Sequence, residues 1–213
     1  MRNWPLFRLR LTTPRLELRL PSLDDLDDLG DRAAEGVHDP DVMPFVFPWT
    51  HGEPADRART TVQYHFRAWG EWSPESWKCP FVVVFEGQVV GTQELAGTDF
   101  GVTREVFSGS WLGRRFHGMG IGTEMRAAVL HLAFHGLGAR YATSGAFTDN
   151  PASLAISRKL GYAADGVQVH NRLGEPAETL RLRLSRDDWT TPAGFLIHDL
   201  EPCLPLFGVS RTA

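Results

Sequence analysis

Apolar and charged residues alternate from Arg15 to Leu20, the period-two pattern of a half-buried strand. Pro21-Ser22 stops it. Ser22 with Asp25 then has the spacing of a capping box, with Asp in place of Glu, and predicts a helix through about Ala34. Residues 36 to 53 contain Pro40, Pro44 and Pro48 and no sustained period, so they predict a long, aromatic loop. A second helix is expected from Pro54 to about Trp69, with Val62, Phe66 and Trp69 on one face. Phe81 to Phe85 and Val89 to Leu95 predict a hairpin about Glu86-Gly87, and Glu105 to Leu112 a further strand. The period then changes to that of a helix for Gly120 to His135. Arg140 to Ala146 predicts a strand and Pro151 to Leu160 a helix. Gly166 to Asn171 with Glu178 to Leu184 predicts a closing hairpin about Gly174-Glu175-Pro176.

The order β-α-α-β-β-β-α-β-α-β-β, without a repeat or linker, predicts one α+β domain over 1–213. Its core is expected at about 8–189, with a tail at 190–213. In the tail, Leu204-Pro205-Leu206-Phe207 is apolar enough to pack back on the domain, whereas Ser210 to Ala213 is expected to be loose.

Composition narrows the classes. Among 213 residues the net charge is −4, and apolar residues make up 42%, spread widely enough to build a core. The longest apolar stretches, such as Phe81 to Phe85 and Ala127 to Leu130, fall far short of the roughly 20 residues of a membrane span. The first residues, Met1-Arg2-Asn3-Trp4-Pro5-Leu6-Phe7, have no apolar run of signal-peptide type, so no secretory signal is read. Cys79 and Cys203 are far apart and lack metal-ligand spacing, which makes a reducing cytoplasm the expectation. Mild acidity argues against a nucleic-acid partner.

The stretch Trp111-Leu112-Gly113-Arg114-Arg115-Phe116-His117-Gly118-Met119-Gly120-Ile121-Gly122-Thr123 carries most chemical information. A strand enters a loop with two arginines, three glycines follow at alternate positions, and a helix begins. Such a turn offers backbone N–H groups and a helix N-terminus to phosphates, and glycine lets the anion approach. A Walker A loop needs a lysine that Gly122-Thr123 lacks, which disfavours a nucleotide enzyme of that class. A dinucleotide fingerprint needs G-x-G-x-x-G, whereas the spacing here is Gly118-x-Gly120-x-Gly122.

Arg115-x-x-Gly118-x-Gly120 resembles the Q/R-x-x-G-x-G/A signature of the GNAT acyltransferase superfamily. Asn150-x-x-Ser153 followed by Lys159-Leu160-Gly161-Tyr162 is similar to the N-x-x-S…K-L-G-F of the branch that includes ribosomal-protein alanine acetyltransferases. Trp4 to Phe7, Glu35 to Pro40, Ser108 to Gly113, Gly122 to Leu130 and Pro205 to Gly208 resemble an actinobacterial subgroup described as succinyl-CoA transferases. The resemblance implies a GNAT fold, with a mixed, mostly antiparallel sheet flanked by helices. It also implies a donor that is acyl-CoA, succinyl-CoA more than acetyl-CoA, and an acceptor that is a primary amine: a protein N-terminus, a lysine or a small molecule. No metal is implied.

On the family pattern, backbone groups of Trp111 and Leu112 would hold the pantetheine arm, and backbone groups near Leu112 would polarise the thioester carbonyl. Arg114, Arg115, Phe116, His117, Gly118, Met119, Gly120, Ile121, Gly122 and Thr123 would take the pyrophosphate. Asn150 would bond the pantetheine, and Ser153 would donate to the leaving sulfur. Many members place a tyrosine four positions before the Gly-Phe pair, but here that position is Ser157 and Tyr162 matches the phenylalanine.

No base is assigned. Gln168 to Arg172, where relatives carry a glutamate, has no carboxylate, and Glu94 and Glu105 are candidates that also read as ordinary strand residues. That gap supports an alternative, a CoA-binding sensor or scaffold with reduced chemistry. A succinyl carboxylate would need a cation, for which Arg59, Arg67, Arg104, His51 and His65 are available. The aromatic set Phe45, Phe47, Trp49, Tyr64, Phe66, Trp69, Trp72 and Trp77 reads either as an acyl or acceptor pocket or as packing, including a homo-oligomer interface; Pro44 to Thr50 is the segment most expected to serve a site. His131 and His135 share a helical face but lack a third ligand, and Asp24-Asp25 with Asp27-Asp28 reads as a solvated helix start.

Overall fold

The computed structural model describes residues 1–209; Ser210 to Ala213, expected to be loose, lie outside the described residues. Nine strands form one sheet in the order β7-β8-β6-β5-β4-β3-β2-β1-β9. They are β1 (Arg10–Thr12), β2 (Leu16–Arg19), β3 (Ser76–Phe85), β4 (Gln88–Thr98), β5 (Glu105–Leu112), β6 (Tyr141–Phe147), β7 (Ala163–Arg172), β8 (Glu175–Ser185) and β9 (Leu196–His198). The helices are α1 (Leu23–Glu35), α2 (Pro54–Gly70), the single turn α3 (Phe100–Thr103), α4 (Ile121–His131) and α5 (Pro151–Lys159). Every strand pairing is antiparallel except that of β5 with β6.

The start of α1 follows from local chemistry. Ser22 Oγ accepts from the Asp25 N–H at 3.1 Å, and Asp25 Oδ2 accepts from the Ser22 N–H at 2.9 Å, closing the capping box. Asp25 also binds the Arg19 guanidinium at 2.7 Å, so part of the acidic run is paired as well as capping.

Strand alternation assigns the two faces. Phe81, Val83 and Val90 join Met125, Ala128 and Val129 of α4 in the main core. Val82, Val84 and Val89 meet Leu29 of α1 and Trp111 on the other side. α4 and α5 therefore cover one face, α1 and α2 the other.

Three features depart from expectation. β1 and β9 were not predicted, because three residues are too few to show alternation. β9 pairs with β1, and beyond it Cys203 and Phe207 are fully buried, with Trp72 Nε1 donating to the Leu206 carbonyl at 2.8 Å. The closing hairpin is longer than expected, and its turn is Leu173-Gly174, both at positive φ, which lets Arg172 pair with Glu175. After α4 the chain continues through a π turn over Leu132–Gly136. No helix among the described residues is long and apolar enough to cross a membrane.

One irregularity positions the site. β5 and β6 pair only from Glu105–Phe107 to Tyr141–Thr143. Beyond that, β5 continues to Leu112 against β4, while β6 continues to Phe147 against β8. The two parallel strands part into a wedge with its apex at Ser108 and Ser144.

Candidate functional site at the parting of two strands

The mouth of the wedge is the glycine turn. β5 ends at Leu112, a 3₁₀ turn spans Arg114–Phe116, and α4 begins at Ile121. Gly118 (φ 76°) and Gly120 (φ 78°) are left-handed, a conformation that a side chain opposes. As a result, none of the N–H groups from Gly118 to Gly122 has an acceptor among the described residues. They cluster at the positive end of α4, a surface suited to phosphate oxygens.

Buried Phe116 anchors the turn, and the Arg115 guanidinium lies 4.8 Å from its ring centroid. The side chains of Arg114 and Arg115 are more than half exposed and only loosely paired, with Asp39 at 3.3 Å and Glu35 at 3.7 Å. Both can turn toward an anion. Met119 is exposed, and His117 Nε2 lies 3.1 Å from the Leu112 carbonyl oxygen, tying the turn to the strand end. Sequence reasoning missed a third cation. Arg15, at the start of β2, pairs with Glu124 at 2.6 Å and donates to the Met119 carbonyl at 3.1 Å, while Thr13 holds the same glutamate at 2.6 Å. No spacing links position 15 to position 119.

The second wall starts at α5. Asn150 Oδ1 accepts from the Ser153 N–H at 3.1 Å, so this oxygen caps the helix. The Ser153 hydroxyl is half-buried and makes no hydrogen bond among the described residues. Ser157, at the position where the resemblance leads one to look for a tyrosine, is wholly buried and donates to the Ser153 carbonyl at 3.1 Å. Tyr162 is buried beside it, with its oxygen 3.4 Å from Ser108 Oγ, and burial pushes its phenol up. Ser144 Oγ donates to the Ser108 carbonyl at 3.3 Å, closing the apex.

On the α1/α2 face, Glu94 of β4 lies opposite Gly109 of β5. Gly109 puts no side chain between Phe107 and Trp111, and a Cβ there would touch the Phe107 ring at 3.5 Å. Burial pushes the Glu94 carboxyl above its ordinary range, although Tyr64 of α2 donates to it and Lys78 lies near, both opposing the shift. Burial and the neighbouring carboxylate in turn push the Tyr64 phenol up. A carboxyl with a raised affinity for protons can accept a proton from an amine brought beside it. Glu105, the other candidate, is paired with Arg183 at 2.7 Å at the opposite end of β5.

Trp111 packs against Trp49 at 5.4 Å and Trp49 against Phe45 at 5.3 Å, so the proline-rich loop covers this side of β5. The remaining aromatic contacts are mostly packing: Phe7 with Trp69, Trp72 with Trp77, and Trp77 with Phe207. The cations considered for a second carboxylate do not gather at one place, although Arg67 lies near Tyr64. Arg59 pairs with Asp56 on the surface, Arg104 stacks on Phe100 beyond the paired end of β5, and His65 is buried on the Thr61 carbonyl. His131 and His135 both contact Thr191, and no group of three or more metal-ligating side chains occurs among the described residues.

Comparison with known proteins agrees with this geometry. The family profile described as acetyltransferase (GNAT) domain matches residues 15–163. RimJ of Mycobacterium smegmatis, solved with CoA-disulfide, superposes with a TM-score of 0.69 at 18% identity, covering 86% of this chain and 90% of that one. RimL, a ribosomal L7/L12 α-N-protein acetyltransferase solved with coenzyme A, gives 0.63 at 16% identity over 81% and 96% of the two chains. A GNAT-family acetyltransferase from Bacillus anthracis gives 0.67 at 15% identity over 84% and 99%. The likeness of these structures is one of fold, whereas the profile covers well over half of the chain, wedge and glycine turn included: this protein is an acyltransferase and belongs to the GNAT family.

Proposed function

We propose that the protein transfers an acyl group, succinyl in preference to acetyl, from coenzyme A to a primary amine by direct attack. The observation that carries the reading is the wedge between β5 and β6 opening onto the unpaired N–H groups of Gly118 to Gly122. Phosphates of the donor sit in that turn with Arg114 and Arg115, through Thr123, and the pantetheine arm runs down the free edge of β5 past Leu112 and Trp111. Asn150 borders it from α5. The thioester then lies deepest, near Ser108 and Gly109.

A neutral amine entering at Gly109 attacks the carbonyl carbon through its nitrogen, which gives up one proton to Glu94 as the C–N bond forms. Backbone N–H groups of β5 beside the carbonyl carbon hold the oxyanion. As the tetrahedral carbon collapses, the C–S bond breaks and the thiolate takes a proton from the unpartnered Ser153 hydroxyl, which regains one from solvent while Glu94 releases its own to solvent. Glu94 answers the missing base on which a sensor reading rests, so catalysis is the reading supported. The succinyl preference rests on the whole-chain resemblance. The continuous sheet, tail strand included, supports treating the described residues, 1–209, as one unit of the 1–213 domain.

The test mixes the protein with succinyl-CoA or acetyl-CoA and a panel of peptide N-termini, lysine peptides and small amines, and follows free thiol. Thiol release that needs both amine and donor is expected, with the donor raising the melting temperature and Gly120→Arg abolishing that rise. A melting shift without thiol release for any amine would return the protein to the sensor reading.

A further inference from the structure

Arg126 is the only arginine or lysine that the fold buries among the described residues. It projects from α4 toward α5, where its Nη1 donates to Ser157 Oγ at 2.9 Å. Nothing negative meets it: no carboxylate among the described residues lies within ion-pair distance, and the neighbouring phenol of Tyr162 stays neutral in its buried setting. Its Nε is buried without an acceptor, and Nη2 has none either. Those two N–H groups form the side-on edge of a guanidinium, the parallel fork that takes a carboxylate in two hydrogen bonds.

A dehydrated cation facing only hydroxyls is costly to the fold and repays its cost when a ligand brings the anion. The place of Arg126 says which part of the ligand. Ser157 and Tyr162 link it to Ser108 and Ser144 at the wedge apex. A thioester with its phosphates in the glycine turn places its acyl end at that apex, four strand residues, or about 13 Å, from Leu112.

We propose that Arg126 receives the distal carboxylate of a dicarboxylic acyl group such as succinyl, and that this buried fork sets the protein's choice of donor. The inference rests on the acyl-CoA reading above and deepens it to one residue. Ser157 then has a second meaning: the small side chain leaves room for the guanidinium where a tyrosine would fill the space.

Calorimetry with succinyl-CoA, butyryl-CoA and free CoA tests it, because butyryl matches succinyl in carbon count and lacks the carboxylate. Wild type is expected to bind succinyl-CoA about 10- to 100-fold more tightly than butyryl-CoA. Arg126→Met should erase that difference by weakening succinyl-CoA alone, while the ligand-free melting temperature stays level or rises because a buried charge has gone. Arg126→Lys, which keeps the charge and loses the fork, should fall between and serves if the methionine variant does not fold. A variant that retains the succinyl preference overturns the assignment to Arg126. Equal weakening of all three ligands overturns it too, making the residue a thiolate or packing group. Equal binding of both thioesters by wild type removes the succinyl reading itself.

Discussion

The two faces of the sheet meet at the wedge and present different materials there. The α4 side offers backbone: five consecutive N–H groups, two left-handed glycines and exposed arginines at the rim. The α1/α2 side offers side chains drawn from β4, α2 and the proline-rich loop, with Glu94 and Tyr64 in contact across 30 positions. A surface built from backbone tolerates most side-chain changes and rejects an added Cβ. A surface built from single buried groups behaves the other way.

The strongest attempt to break that contrast is Glu94→Gln. Its amide oxygen can still accept from Tyr64, but it takes no proton, so turnover should fall on the order of 10²- to 10⁴-fold while donor affinity is unchanged. The wild-type rate should rise with pH through the raised Glu94 pKa, and steady-state profiles of both proteins should show that limb only in wild type. Because the folded carboxyl holds its proton more tightly than the unfolded one, stability present at acid pH declines as pH rises through that pKa; melting scans of the glutamine variant should lack the decline.

Ser153→Ala comes next, a single hydroxyl on the α4 and α5 side. Turnover should drop about 10- to 100-fold, within the usual range for an acid, with CoA affinity retained. Equal losses in both would make Ser153 a binding residue.

Gly118→Ala examines the backbone side directly. A Cβ there meets no atom within 4 Å, so the change acts through φ 76° and through the approach of the anion. Denaturant melts should show a loss of about 1–2 kcal/mol, and calorimetry a donor affinity weakened by about 10-fold, the worth of one neutral hydrogen bond. Smallest is Arg114→Ala. An exposed cation is worth about 0–1 kcal/mol, so donor affinity should weaken less than about 5-fold, and the effect should shrink as salt is raised.

The same contrast governs what the sequence made legible. The glycine turn leaves a motif because left-handed backbone selects glycine at fixed spacing, and Ser22 with Asp25 leaves one because a cap bonds locally. The Arg15 contact with Glu124 and the Tyr64 contact with Glu94 leave none, since the residues meet only once the sheet has formed. Arg126 is hidden more deeply. It sits inside the most apolar helix, flanked by Met125 and Ala127, and its lack of an anionic partner is a fact of three dimensions. β1 and β9 escaped through brevity. The hairpin turn was misplaced because Pro176 looked like a turn residue, whereas Leu173 takes positive φ with Asn171 accepting from the Gly174 N–H at 2.8 Å.

Only three residue pairs join β5 to β6, against ten between β3 and β4. Mechanically the sheet is two plates on a short hinge, β7-β8-β6 on one side and the remaining six strands on the other. On the proposed donor path, a pantetheine chain bonded along Ser108 to Leu112 would act on this hinge as a splint. Amide hydrogens of β6 and β8 should then exchange more slowly in the donor complex, and the plates should loosen again when the bare thiol leaves.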